Sequence, residues 1–269
     1  MNIEKMYVNK IGKGYPIIML HGFPLDHNSL MPFESYFDED NKWQRYYIDL
    51  PGMGQSRGAG VIQSASDVLQ FLIQYIEEEF NDRKFAIVGY SFGALLATAL
   101  AEQFSDQIES LFLLAPETEA ETAKRTLPKR AVYHMSNLDS RIDQDELLAY
   151  RATVVLESQD NFNLFKKYIL PGLNSNEGNE IVRYLSENPK LAKEPSEYLK
   201  SYKGSITIVA GQNDNMVGFQ DAFSLYCTLP EAEFVCISKA GHTLHLDRPE
   251  IIKEIFTDWL RNLNARVTP

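Results

Sequence analysis

Apolar residues fall along this chain in two rhythms. Short, mostly apolar runs at 16–20, 46–50, 84–88, 111–115, 205–211 and 233–237 read as strands, most of them buried on both faces of a sheet. Residues 2–9 read as an earlier strand, turned by Gly12-Lys13-Gly14. Between these runs the spacing becomes helical. Val68, Leu69, Leu72, Tyr75, Ile76 and Phe80 share one side of a helix that Ser66-Asp67 is placed to cap. Residues 94–101 are strong helix formers, and further helices are predicted over 219–226 and from about 249 to 263, the last with Ile252, Ile255, Phe256, Trp259 and Leu260 on its apolar side. Strands alternating with helices predict a mostly parallel sheet covered on both faces.

From about 117 to 203 the alternation stops. Leu147, Leu148, Val154 and Val155 recur at helical spacing, as do Phe162, Phe165, Tyr168 and Ile169, which Pro171-Gly172 is expected to terminate. Ile181, Val182 and Leu185 form a third group, closed by Asn188-Pro189. The stretch is too long for a loop and contains no predicted strand. It reads as a helical insertion, 117–203, in a core made of 1–116 and 204–269. The insertion is expected to lie over the sheet as a cap, with part of its apolar surface lining an enclosed, mostly apolar pocket.

Composition narrows the class. At 269 residues and 44% hydrophobic content the chain can bury one large α/β core. A net charge of −11 argues against nucleic acid or an anionic membrane as partner. The two cysteines, Cys227 and Cys236, make no disulfide framework, and Cys236 reads as a small core residue in its strand. The first residues lack the apolar stretch of a signal peptide, and no apolar run approaches membrane-spanning length. A cytoplasmic protein acting on a small molecule is the expectation; the sequence leaves the oligomeric state open.

The candidate chemistry sits at Gly89-Tyr90-Ser91-Phe92-Gly93, between the strand 84–88 and the helix 94–101. A serine at such a strand-to-helix turn is held in a strained conformation, flanked by glycines that leave room for the turn. The helix behind it aims free amides and its positive end at the same point. A nucleophilic serine needs a base, and the base an orienting acid. In open parallel sheets sites form beyond the carboxyl ends of the strands. Asp214 follows the strand 205–211 and His242 follows the strand 233–237, giving the order Ser, Asp, His. Glu117, after the strand 111–115, is the competing acid, and His245 the competing base; Asp247 reads as a cap for the last helix. Asp26 and His27 read as solvated loop residues or as substrate contacts, and His134 has no partner identifiable from the sequence.

Five motifs in order, His21-Gly22-Phe23-Pro24, Asp49-Leu50-Pro51-Gly52-Met53-Gly54-Gln55-Ser56, Gly89-Tyr90-Ser91-Phe92-Gly93, Gly211-Gln212-Asn213-Asp214 and Gly241-His242, resemble the α/β-hydrolase superfamily, in its small, capped, esterase-like form. The resemblance implies a mostly parallel central sheet with helices on both faces and a helical cap. It implies Ser91 as nucleophile, His242 as base and Asp214 as acid. The oxyanion hole would use the backbone N–H groups of Phe23 and Phe92, and His21 would brace its own loop. No metal and no organic cofactor is implied. The expected activity is hydrolysis of a small, largely apolar carboxylic ester, thioester or lactone through an acyl-serine. Carbon–carbon hydrolysis, acyl transfer and lyase chemistry are the alternatives on the same fold, and a non-catalytic small-molecule receptor is the alternative of another class. Menaquinone-pathway synthases resemble the chain around Gly-Tyr-Ser, but they typically carry an arginine soon afterwards, where this chain has Ala94-Leu95-Leu96.

Overall fold

The apolar runs become strands in the computed structural model, which describes residues 6–37, 42–56 and 61–267. In chain order the strands are β1 (Val8–Gly12), β2 (Tyr15–Leu20), β3 (Trp43–Ile48), β4 (Phe85–Tyr90), β5 (Ile108–Leu114), β6 (Tyr133–His134), β7 (Leu156–Glu157), β8 (Ser205–Gly211) and β9 (Glu233–Ile237). The helices are α1 (Ala65–Phe80), α2 (Phe92–Gln103), α3 (Gln144–Thr153), α4 (Gln159–Tyr168), α5 (Leu170–Asn176), α6 (Glu180–Glu187), α7 (Pro195–Tyr198), α8 (Phe219–Tyr226), α9 (Leu244–Asp247) and α10 (Pro249–Val267), joined by short 3-10 segments of which His27–Tyr36 is the longest.

Seven strands form one sheet in the order β1-β3-β2-β4-β5-β8-β9. All neighbouring pairs are parallel except β1 with β3. Strand side chains alternate between faces. Ile18, Leu20, Ile87, Leu111 and Leu113 therefore join one core with α1, α2 and α8. Ile17, Met19, Val88, Phe112 and Leu114 join the opposite core with α10 and the His27–Tyr36 segment. Helix α2 is buried at every position from Phe92 to Ala101, as expected of a helix without a polar face.

Several boundaries differ from the sequence expectation. The first strand is Val8–Gly12 rather than 2–9, and residues 2–5 of that reading lie outside the described ones. Helix α1 is capped two residues earlier than Ser66-Asp67, by Ser64, whose hydroxyl accepts from the Asp67 N–H. Pro171-Gly172 does not end a helix; Pro171 lies in the first turn of α5, where its missing N–H has no helical acceptor to lose. Val154 caps the end of α3 instead of continuing it, and Leu148 is 67% exposed. The insertion also holds a two-stranded parallel sheet, β6 with β7, whose strands are too short for any periodicity to reveal. Cys236 is not a core residue: it is exposed on β9, the outermost strand of the sheet.

The segment between β5 and β8 is divided between the two cores. Tyr150, Phe162, Phe165 and Ile169 pack with α10 on one side of the sheet, whereas Leu185, Tyr198 and Leu199 pack on the other. It thereby crosses the carboxyl edge of the sheet. Among the described residues no helix is long and apolar enough to cross a membrane.

Candidate active site

The turn after β4 places Ser91 at φ 54° and ψ −115°, a left-handed conformation that L-residues avoid. Its N–H is held by Leu114 O at 2.9 Å. The flanking glycines have a steric reason. A Cβ on Gly89 would lie 2.6 Å from Ala94 Cα, and one on Gly93 would lie 2.2 Å from Leu20 O. Neither contact is possible, so the turn depends on both glycines. Helix α2 begins at Phe92, directly behind the serine.

Asp214 and His242, from the loops after β8 and β9, meet as a hydrogen-bonded pair. His242 Nδ1 lies 2.9 Å from Asp214 Oδ2, and both side chains are buried. Asp214 Oδ1 also accepts from Met216 N–H at 2.8 Å and Val217 N–H at 3.1 Å. Burial works to raise the Asp214 pKa, but the His242 ring and the two amides outweigh it and hold the carboxyl below its ordinary value. With Asp214 ionised, Nδ1 carries the ring proton and Nε2 is left without one.

Ser91 and His242 line one cavity of about 580 Å³, together with Phe23, Phe92, Glu117 and Arg125. No hydrogen bond joins Ser91 to His242; such bonds are often long before substrate binds. The Phe23 and Phe92 rings meet edge to face at 6.1 Å, and both residues border the cavity. The insertion supplies Leu185, Ser186, Glu187 and Pro189 to the same wall. The aromatic residues Phe162 and Phe165, expected in part to line a pocket, are instead buried in the core.

The rival candidates have other positions. Glu117 follows β5, and its N–H donates to Ser91 O at 3.2 Å. Its side chain is bonded not to His242 but to Arg125, Oε2 to Nη2 at 3.1 Å. Burial raises the Glu117 pKa, against the opposing pull of Arg125 and His242. Arg125 was not visible as a site residue in the sequence, since it lies in a stretch with no periodicity and its partners are set by the fold. His245 is fully buried away from this cavity and donates from Nε2 to Ser29 O at 3.0 Å. Burial pulls its pKa down to about 3. Asp247 is no helix cap; it accepts from Gly241 N–H at 2.8 Å, Leu156 N–H at 3.2 Å and Asn161 Nδ2 at 3.0 Å.

The loop residues named from the sequence are likewise accounted for. His21 donates from Nδ1 to Gly22 O at 2.8 Å and accepts from Leu50 N–H at 2.9 Å, so its ring spans its own loop and the next. Asp26 caps the His27–Tyr36 segment, and His27 Nδ1 donates to Asp49 Oδ1 at 2.7 Å; neither borders the Ser91 cavity. His134 does have a partner, Glu157, at 2.8 Å. Among the described residues no group of three His, Cys, Asp or Glu side chains is placed to hold a metal ion.

Comparison with known proteins agrees with this architecture. An alpha/beta superfamily hydrolase from Oenococcus oeni PSU-1 superposes with a TM-score of 0.90 at 29% identity, over 97% of both chains. A thermophilic esterase from Thermogutta terrifontis superposes with a TM-score of 0.70 at 20% identity, over 96% of this chain and 93% of that one. The 2-hydroxy-6-oxononadienedioate/2-hydroxy-6-oxononatrienedioate hydrolase of Paraburkholderia phymatum is 20% identical over 270 residues, covering 95% of this chain and 91% of its own. The family model of the alpha/beta hydrolase fold matches residues 15–249. With a mostly parallel sheet, a serine at the strand-to-helix turn and a family match over most of its length, the chain belongs to the α/β-hydrolase fold family.

Proposed function

We propose that this hydrolase cleaves a small, largely apolar carboxylic ester, thioester or lactone through an acyl enzyme on Ser91. One observation carries the reading: Ser91, in its left-handed turn, shares a cavity with a His242 whose other nitrogen is bound to the ionised Asp214. In the proposed reaction Ser91 Oγ attacks the carbonyl carbon while His242 Nε2 takes its proton. The oxyanion is received by the N–H groups of Phe92 and Phe23, with the positive end of α2 behind the first. Collapse breaks the bond to the alcohol or thiol, which leaves with the proton from His242. Water then repeats the sequence on the acyl-serine, releasing the acid and restoring Ser91.

The insertion, residues 117–203, acts in this reading as the cap that decides what enters. Its residues Leu185 and Pro189 close one wall of the cavity, and Ala120 and Ala123 another. Carbon–carbon bond hydrolysis is the second reading, because the Paraburkholderia phymatum relative covers nearly the whole chain and its name specifies a hydrolase of a dioic acid.

The expected outcome is that Ser91→Ala abolishes both hydrolysis of p-nitrophenyl esters and covalent labelling by a fluorophosphonate, with the circular dichroism spectrum unchanged. Labelling that survives in the variant moves the nucleophile elsewhere. Turnover separates the hydrolase from a receptor that merely keeps the triad.

A further inference from the structure

Three carboxylates border the cavity, Glu117, Glu121 and Glu187; the proposed reaction uses none of them, and Glu117 alone is buried. Glu117 is tied to the nucleophile through a single backbone hydrogen bond, its N–H to Ser91 O at 3.2 Å. Its side chain borders the same cavity as Ser91 and His242 while remaining only 8% exposed. It is not the orienting acid, because His242 Nδ1 is taken by Asp214 at 2.9 Å.

Its two oxygens are differently engaged. Oε2 accepts from Arg125 Nη2 at 3.1 Å, whereas among the described residues no hydrogen bond to Oε1 is found, and this oxygen is not among their sealed, unpartnered atoms. A largely buried carboxylate oxygen without a donor is costly, and a donor brought by a ligand removes that cost. Arg125, by contrast, is nearly saturated. It donates from Nε to Glu119 O at 2.8 Å, from Nη1 to Met216 O at 3.0 Å and from Nη2 to Ala120 O at 3.3 Å, besides its bond to Glu117. Four of the five N–H groups of a guanidinium are thereby occupied by protein. The arginine clamps the cavity wall and orients the glutamate. A substrate anion would find one spare N–H beside a carboxylate, whereas a substrate donor would find an open acceptor.

We infer that Glu117 is a specificity-determining residue that selects substrates carrying a hydrogen-bond donor, a hydroxyl or an N–H, close to the scissile carbonyl. This rests on the acyl-serine reading and extends it to the polar part of the substrate. Arg125 is a positioning residue in this arrangement. A purely structural ion pair would give no discrimination between donor-bearing and donor-free substrates.

The test uses two hydroxylated esters and one reference: ethyl butyrate against ethyl 3-hydroxybutyrate, which adds the donor on the acyl side, and against 2-hydroxyethyl butyrate, which adds it on the alcohol side. A hydrogen bond to a charged acceptor implies a kcat/KM preference of roughly 10- to 100-fold for at least one hydroxylated ester in the wild type. In Glu117→Leu combined with Arg125→Met, which leaves no unpaired charge, the preference is expected to fall below roughly threefold. Glu117→Gln serves as the conservative variant should the double variant not fold; a neutral acceptor retains part of the preference and loses most of it. Fluorophosphonate labelling of Ser91 is measured in parallel. Labelling without any preference for the hydroxylated esters overturns the inference and leaves the acyl-serine reading intact. A preference for monoethyl succinate that disappears in Arg125→Met assigns the subsite to the arginine and also overturns it. The absence of both turnover and labelling overturns the reading itself, and this inference with it.

Discussion

At the scale of single residues, the site depends on positions that the backbone cannot otherwise provide. Ser91 adopts φ 54° because Gly89 and Gly93 let helix α2 and the end of β2 approach within distances that a Cβ forbids. In the proposed triad Asp214 works through the ring it holds: with its carboxyl ionised, the His242 proton stays on Nδ1 and Nε2 is left to act as the base. Asp214→Asn is therefore expected to lower kcat by roughly 10⁴ on p-nitrophenyl butyrate, the effect of a wrong tautomer in comparable triads. A near-normal Asp214→Asn beside a crippled Glu117→Gln would instead make Glu117 the acid. The Ser91 turn and the Asp214–His242 pairing were legible from the sequence because each residue lies within a few positions of the end of a predicted strand, and strand ends are where a parallel sheet gathers its site. The pairs Glu117–Arg125 and His27–Asp49 were not. Nothing local marks those residues as partners; the contacts exist only once the loops are packed.

At the scale of elements, α9 shows how much chemistry four residues can hold. It buries His245 and Asp247 two positions apart, and their environments give opposite pH signs. Burial lowers the His245 pKa to about 3, so its neutral form contributes stability above the unfolded value of about 6.5, and that contribution is lost as pH falls. Burial raises the Asp247 pKa to about 6 despite the amides that it accepts from. Its charged form therefore weighs against the native state at neutral pH, and acidification from about 6 to 4 relieves this. Going from pH 7 to 5, the stability advantage of wild type over His245→Gln is expected to shrink by about 2 kcal/mol. The difference between wild type and Asp247→Asn is expected to move the other way, by about 1 kcal/mol. Urea unfolding of the three proteins at both pH values checks this, and parallel shifts would refute the assignment. Elements with long periodic patterns, such as α1 and α10, were visible in the sequence. The two-residue strands β6 and β7 were not, because they exist only by pairing with each other.

For the whole molecule, the sequence identified a core interrupted by an insertion, but not how the insertion is fastened. Its apolar groups looked alike in sequence. In the structure Phe162 and Phe165 serve the core under α10, whereas Leu185 reaches the opposite core and borders the cavity. Side-chain spacing records that a helix has an apolar face, and cannot record which of two cores that face will meet.

This split attachment gives the insertion, whose α6 side roofs the cavity, two unequal halves. Helix α4 is fastened by buried Phe162 and Phe165, but α6 buries Leu185 alone and is preceded by Gly178, which has no neighbour within 4 Å of a Cβ built on it. Local opening costs least where few apolar groups must leave the core. The roof is therefore expected to breathe by lifting α6 while α4 stays shut, so that substrates exchange through a side door. In hydrogen–deuterium exchange the amides of α6 exchange faster than those of α4, and an adduct on Ser91 slows them selectively. Equal protection of the two helices would mean that the roof opens as one piece.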